Sequence, residues 1–256
     1  RGLMEVVTYS FLSSSQALLF GSGSESNSLK LINPISSDLD SMRPSLLPNL
    51  IAAVGRNADR GNFAAALFEI GPRFFGVKPE DQDTVAAGIR SGHSGGRHWH
   101  EPMRVVDLFD VKADALSVLS SVGIPVNKIE AVAEAPSWYH PGHSGVLRLG
   151  SKIILGNFGE IHPQILKDFD VRGPVCGFEI FFDKIPGQKN KKSKARPYLD
   201  LPQFQTVERD FAFVVDEDIS SAQTLGAALG ADKKLIVDVT LFDVFRGGEL
   251  SSGKKS

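Results

Sequence analysis

Pro44-Ser45-Leu46-Leu47-Pro48-Asn49-Leu50-Ile51-Ala52-Ala53-Val54 decides how the first part of this chain is built. Leu46, Leu47, Leu50, Ile51 and Val54 recur at helical spacing, Ser45 stands where an N-cap belongs, and Pro48 falls in the first turn, where its missing N–H is harmless. Gly61 supplies the stop. A second helix fits 110–122, with Leu116, Leu119 and Val122 in one stripe and Gly123 as its left-handed end. Outward from these helices the apolar segments are short, β-branched and aromatic, which predicts strands at 66–75, 84–89, 128–132, 145–149, 152–158 and 175–182. Gly150-Ser151-Lys152 suggests a hairpin, and Pro163 opens a short helix carrying Ile165, Leu166 and Phe169. Helices flanking a largely antiparallel sheet make an α+β domain.

Between Phe182 and Arg196 the character changes: Lys184, Lys189, Lys191, Lys192, Lys194 and Arg196 follow with no acid after Asp183, interrupted by Pro186 and Gly187. This is linker chemistry, and it divides a domain at 1–190 from a second at 191–256. In the second, 207–215 reads as a strand in which Phe211, Phe213 and Val215 alternate toward a helix. Ser220 caps that helix, which carries Leu225, Ala228 and Leu229, and 235–245 is rich in β-formers. Strand, helix and strand open a ferredoxin-like split βαβ unit whose second half is expected to be missing at Ser256. With no initiator Met, this suggests a piece of a longer protein.

The 256 residues are 42% hydrophobic, enough for a sizeable core, and the net charge of -2 gives no global attraction for a polyanion. Any nucleic-acid contact must be a local patch. Cys176 is the single cysteine, which excludes an internal disulfide and a cysteine-based zinc site and suits a reducing, cytoplasmic setting. No apolar run approaches the ~20 residues a membrane helix needs.

Six ordered motifs then carry a resemblance. They are 5–11 (Glu-Val-Val-Thr-Tyr-Ser-Phe), 31–37 with 42–48, Leu67-Phe68-Glu69-Ile70-Gly71, His140-Pro141-Gly142-His143-Ser144, Gly159-Glu160-Ile161-His162-Pro163, and Glu208-Arg209-Asp210-Phe211-Ala212-Phe213. Together they resemble the beta-subunit family of bacterial phenylalanine–tRNA ligases, in its C-terminal portion. The resemblance implies a class II aminoacyl-tRNA synthetase-like antiparallel sheet with flanking helices, followed by a truncated ferredoxin-like anticodon-binding domain. It implies a non-catalytic part that docks the catalytic alpha subunit, in a cytoplasmic heterotetramer of two alpha and two beta subunits. That assembly joins phenylalanine to tRNA(Phe) with ATP and Mg2+; this fragment is expected to hold no cofactor and no catalytic residue, and editing would lie outside it. Class II chemistry needs an arginine from a Phe-Arg-x-Glu strand on the ATP α-phosphate, and the matching strand 67–71 has none. The strand 175–180 likewise lacks a glycine repeat and an ATP-binding arginine.

Asn33-Pro34 and the helix after Pro44 resemble the first class II motif, which builds subunit interfaces. The implied interface candidates are Asn33, Pro34, Met42, Arg43, Leu46, Leu47, Asn49 and Leu50, although the aliphatic ones also read as plain core. Candidate phosphate contacts are Arg196, Arg209, Lys233 and Lys234. The alternative reading is a stand-alone RNA-binding or interaction module with a borrowed synthetase-like fold.

Other constellations carry less. His93, His98 and His100 with Glu101 and Asp107 could be drawn as a metal site, but the glycine-rich loop reads as solvated, and metal is not expected. His140 and His143 flank a Pro-Gly turn, His143 standing where the family usually has arginine. Cys176 reads as a small apolar strand residue. Gly21-Ser22-Gly23-Ser24 is no phosphate cradle, and no serine sits in a strand–elbow–helix context.

Overall fold

The computed structural model describes residues 1–21, 29–96, 98–187, 198, 204–248 and 250–256. The linker lysines 189, 191, 192 and 194, Arg196, Ser22–Ser24 and the predicted boundary at 190/191 lie outside the described residues. The chain divides into two compact units, Arg1–Gln188 and Lys189–Ser256.

In the first unit the elements run β1 (Met4–Glu5), β2 (Phe11–Leu12), α1 (Ser14–Phe20), β3 (Ser41–Met42), α2 (Leu47–Ala58), β4 (Ala66–Phe74), β5 (Gln82–Ser91), β6 (His93–Ser94), β7 (Arg104–Val105), α3 (Leu108–Ser121), β8 (Ile129–Val132), β9 (Tyr139–Leu149), β10 (Ile153–Ile161), α4 (Pro163–Asp168) and β11 (Val175–Phe181). Seven strands form one sheet in the order β1-β4-β5-β11-β10-β9-β8. Only β1 with β4 is parallel; the other pairs are antiparallel.

The two long helices cover opposite faces. Leu47, Leu50, Ile51 and Val54 of α2 cluster with Leu67, Val85, Ala87, Ile89, Val175 and Phe181. Val111, Ala115 and Leu119 of α3 cluster with Leu147, Leu155, Phe158, Cys176, Phe178 and Ile180. All seven residues of β11 are buried, so its side chains feed both cores in alternation, which is why it reads as an apolar run broken only by Glu179. Gly88 makes room for one of them: a Cβ there would stand 2.3 Å from Phe178 Cε1. Gly88→Ala is therefore expected to destabilise by about 1–3 kcal/mol, with part recovered by adding Phe178→Leu. Urea unfolding of both variants checks this.

The helix ends follow local chemistry. Asp107 and Asp110 form a reciprocal capping box at α3, His162 Nδ1 accepts from Gln164 N at 3.1 Å to start α4, and Gly123 is left-handed at φ +88°. The α2 helix begins at Leu47, with Leu46 at its cap position; Ser45 Oγ, one residue earlier, accepts from Leu47 N at 3.0 Å. Leu149 pairs with Ile153 across the predicted hairpin, where Gly150 takes φ +63°.

The second unit corrects the sequence reading. Its described elements are β12 (Val215–Asp216), α5 (Ser221–Ala231) and β13 (Lys254–Lys255). Ser220 does cap α5, in a capping box with Gln223. Residues 207–214 and 235–245, however, are not strands, and Phe211 and Phe213 are 72% and 55% exposed rather than packed beneath the helix. The parallel strands of a split βαβ unit are not neighbours and need another strand between them. Among the described residues only Lys254–Lys255 enters that position, pairing with Val215–Asp216, while Phe245 and Ser256 exchange backbone bonds of 2.6 and 3.0 Å. Among the described residues most of the length of these two segments has no strand partner.

Candidate functional site

The first of the resembling motifs, the segment after β3 and β4 meet around Arg43. This side chain is 1% exposed: its Nε donates to Pro72 O at 2.8 Å, and Nη1 donates to Glu69 Oε1 at 2.8 Å and to Thr8 Oγ1 at 3.0 Å. Thr8 Oγ1 in turn donates to Glu69 Oε2 at 2.7 Å, closing the network. Gly71 permits it, since a Cβ there would fall 2.5 Å from Arg43 Nη2.

Several large apolar side chains in the segments that lead into this node are exposed. Met4, Val7 and Tyr9 on the chain leading past Thr8 are 69%, 89% and 72% exposed, and Ile32 and Ile35 of the loop ahead of β3 are 96% and 85% exposed. Asn49 Nδ2 donates to Tyr9 O at 3.1 Å, while its buried Oδ1 has no partner. Of the predicted interface residues, Asn33 and Pro34 are exposed, and Met42 and Asn49 are half-buried. Arg43, Leu46, Leu47 and Leu50 are 0–1% exposed and are corrected to core: a side chain already enclosed by its own sheet cannot meet a partner.

Sequence reasoning missed a second buried node. Glu179, central in β11 and wholly buried, accepts from Ser45 Oγ at 2.9 Å and from Leu46 N at 3.0 Å, so a carboxylate from the sheet caps α2. Its Oε2 has no hydrogen bond. Burial pushes this carboxyl above the usual range against the pull of Arg73, which forks onto Asp83 at 2.6 and 3.0 Å and lies 4.1 Å over the Phe181 ring. Beside it Tyr139 donates to Asn157 Oδ1 at 2.9 Å, and burial drives its phenol well up. Burial also pushes the Cys176 thiol up to about 12, in keeping with a packed apolar residue. No local pattern announces these pairs, because Ser45 and Glu179 are 134 positions apart.

Three comparisons with known proteins bear on this arrangement. Residues 1–182 match the family model for the phenylalanyl tRNA synthetase beta chain CLM domain. The chain belongs to that family. Residues 202–256 match a ferredoxin-fold anticodon-binding domain. It is 53% identical over 256 residues to the phenylalanine–tRNA ligase beta subunit of Paramagnetospirillum magneticum and 52% identical to that of Rhodospirillum rubrum. All of the chain is covered, but it spans only 32% of each of these relatives. A solved pyrrolysyl-tRNA synthetase of Desulfitobacterium hafniense superposes with TM-score 0.53 at 18% identity, over 72% of this chain and 59% of that one. That likeness shows a shared synthetase fold.

In this beta-chain fold the strand expected to lack an ATP-binding arginine, β4, gives its Glu69 to Arg43 and Thr8. The histidines of the glycine-rich loop do not converge on a metal: His98 and His100 flank the Trp99 ring at 5.8 and 5.2 Å. Among the described residues no group of three or more His, Cys, Asp or Glu is arranged to hold a metal ion. His140 and His143 lie in β9 with rings stacked at 4.5 Å; His140 Nδ1 accepts from Gly142 N at 3.1 Å and His143 Nδ1 meets Glu160 at 2.7 Å.

In the second unit Arg209 is exposed in an irregular segment, and Lys233 and Lys234 are exposed in the turn after α5. Among the described residues none of their side chains has an ion-pair partner, whereas Arg246 and Lys254 pair with Glu217 and Asp216. Arg196 lies outside the described residues. No described helix is long and apolar enough to cross a membrane.

Proposed function

We propose that this chain is the non-catalytic part of a phenylalanine–tRNA ligase beta subunit, docking the alpha subunit and helping to position tRNA(Phe). The observation that carries the reading is a synthetase-like sheet filled on both faces. α2 covers one face and α3 the other, and central β11 is buried throughout, so this strand serves packing on both sides. In this reading ATP and Mg2+ are held elsewhere, in a cytoplasmic holoenzyme of two alpha and two beta subunits. The division into a synthetase-like part at 1–190 and an anticodon-binding part at 191–256 belongs to the same reading.

Docking is assigned to the exposed side chains Asn33, Pro34, Ile32 and Ile35 ahead of β3 and Val7 and Tyr9 ahead of β2, together with half-buried Met42 and Asn49. Large apolar side chains exposed next to a rigid buried ion pair suit a pre-ordered interface. Phosphate contact is assigned to the unpaired cations Arg209, Lys233 and Lys234, with Arg196.

Co-purification of the full-length beta chain with its alpha subunit tests the docking. Ile32→Asp with Ile35→Asp is expected to weaken assembly at least tenfold while leaving the far-ultraviolet circular dichroism unchanged, since both side chains are solvent-facing. Undiminished assembly would refute this surface. Phenylalanine-dependent ATP–pyrophosphate exchange by the beta chain alone would refute the non-catalytic assignment.

A further inference from the structure

We propose that the tip of the β6–β7 hairpin is a contact for unpaired RNA, with Trp99 as the platform on which a base stacks. The inference rests on the RNA-handling reading above and extends it to the first unit.

The hairpin has a fixed foot and a projecting tip. Gly92 turns the chain out of β5 at φ +73°, and its backbone is so close to Phe63 that a Cβ would stand 2.6 Å from Phe63 O. His93 then pairs with Val105 and Ser94 with Arg104. Arg104 forks onto Asp110 at 2.8 and 2.6 Å, and Asp110 belongs to the capping box of α3. The bonds from Arg104 hold the Asp110 carboxyl below its usual range against the opposing effect of burial, so this clamp stays charged at neutral pH.

Beyond this foot Trp99 is 90% exposed. The His98 ring lies 5.8 Å from it at 28° and the His100 ring 5.2 Å from it at 50°. Among the described residues its indole N–H has no hydrogen bond, and the tip is tied only by His100 N donating to His98 Nδ1 at 3.2 Å. Three adjoining flat rings with N–H groups at their edges suit a nucleobase, because every base has a π face and stacking needs no particular sequence. From Gly92 to Arg104 the sequence has one acid, Glu101, against two arginines, of which Arg104 is committed to Asp107 and Asp110 in the foot, so the tip carries no net negative charge to repel a phosphate backbone. The tip at 98–100 has no aliphatic side chain, whereas a protein-docking knob is normally built on buried aliphatic and aromatic anchors together.

The test is equilibrium binding of a fluorescently labelled tRNA(Phe) transcript to the full-length beta chain assembled with its alpha subunit. Trp99→Ala is expected to weaken binding about tenfold, the size of one lost base stack, and Trp99→Phe to keep it within about threefold. Bound tRNA is expected to shield wild-type Trp99 emission from acrylamide. If wild type binds tRNA but Trp99→Ala matches it within twofold, the proposal falls and the broader RNA reading stands. If wild type binds no tRNA, both fall. If Trp99→Ala loses the alpha subunit while retaining RNA affinity, the tip is a protein contact and the proposal is overturned.

Discussion

Arg43→Ala is expected to destabilise the first unit by about 3–5 kcal/mol, a fall in melting temperature of roughly 10 °C for a domain of this size. The removed guanidinium serves Glu69, Thr8 and Pro72 O at once, and both charges of the pair are nearly inaccessible to water. Removing it leaves a buried carboxylate without its cation, which is worse than never having had the pair. Arg43→Lys should recover little, because one ammonium cannot reproduce a fork that reaches three acceptors. Arg43→Met with Glu69→Met should recover most of the loss, since removing both charges removes the orphan. Differential scanning calorimetry of the three variants decides. If the double variant melts as low as Arg43→Ala, lost packing rather than the stranded charge is the cause.

The second large effect concerns Glu179. Alanine there strips the acceptor from Ser45 Oγ and Leu46 N and opens a cavity in β11, so a loss of about 3 kcal/mol or more is expected. Glutamine keeps an oxygen for both donors and is expected within about 1 kcal/mol of wild type at pH 8. The two also differ in pH dependence. The folded carboxyl titrates above the unfolded one because burial disfavours its charge, an effect only partly offset by Arg73, Leu46 N and Ser45 and reinforced by Asp83. The folded state therefore binds more protons in that window. Its contribution to stability is full below the unfolded value and is lost as pH rises through the folded one. Glu179→Gln has no such loss, so its stability relative to wild type should fall as pH is lowered from 8 to 5. A difference that does not change with pH would contradict the assignment.

These nodes mark where the sequence stopped being legible. Alternation and helix stops located six of the seven sheet strands, all but β1, and both long helices, because burying one face imposes a period that needs no knowledge of the partner. The interface candidates were legible only as types. Arg43 resembles a docking residue until the fold encloses it, and Leu46, Leu47 and Leu50 differ from surface leucines only by what β5 and β11 put above them. Glu179 was invisible for the same reason: one glutamate in an apolar strand has no signature until Ser45 arrives from the far end of the unit. In the second unit alternation predicted strands at 207–215 and 235–245, but a pattern shows which face would be buried, not whether a neighbouring strand exists to pair with.

The enclosure of Cys176 between α3 and the sheet gives the folded chain a silent thiol. Held at 1% exposure and with its ionisation pushed up to about 12, it offers no thiolate to alkylating reagents in the native state. As the sole cysteine, it makes a single chemical clock for global opening: its labelling rate under native conditions reads how often β11 parts from α3. The same silence allows a dye attached through a cysteine introduced at Val7 or Trp99 to report on one surface at a time, with the native thiol left in place.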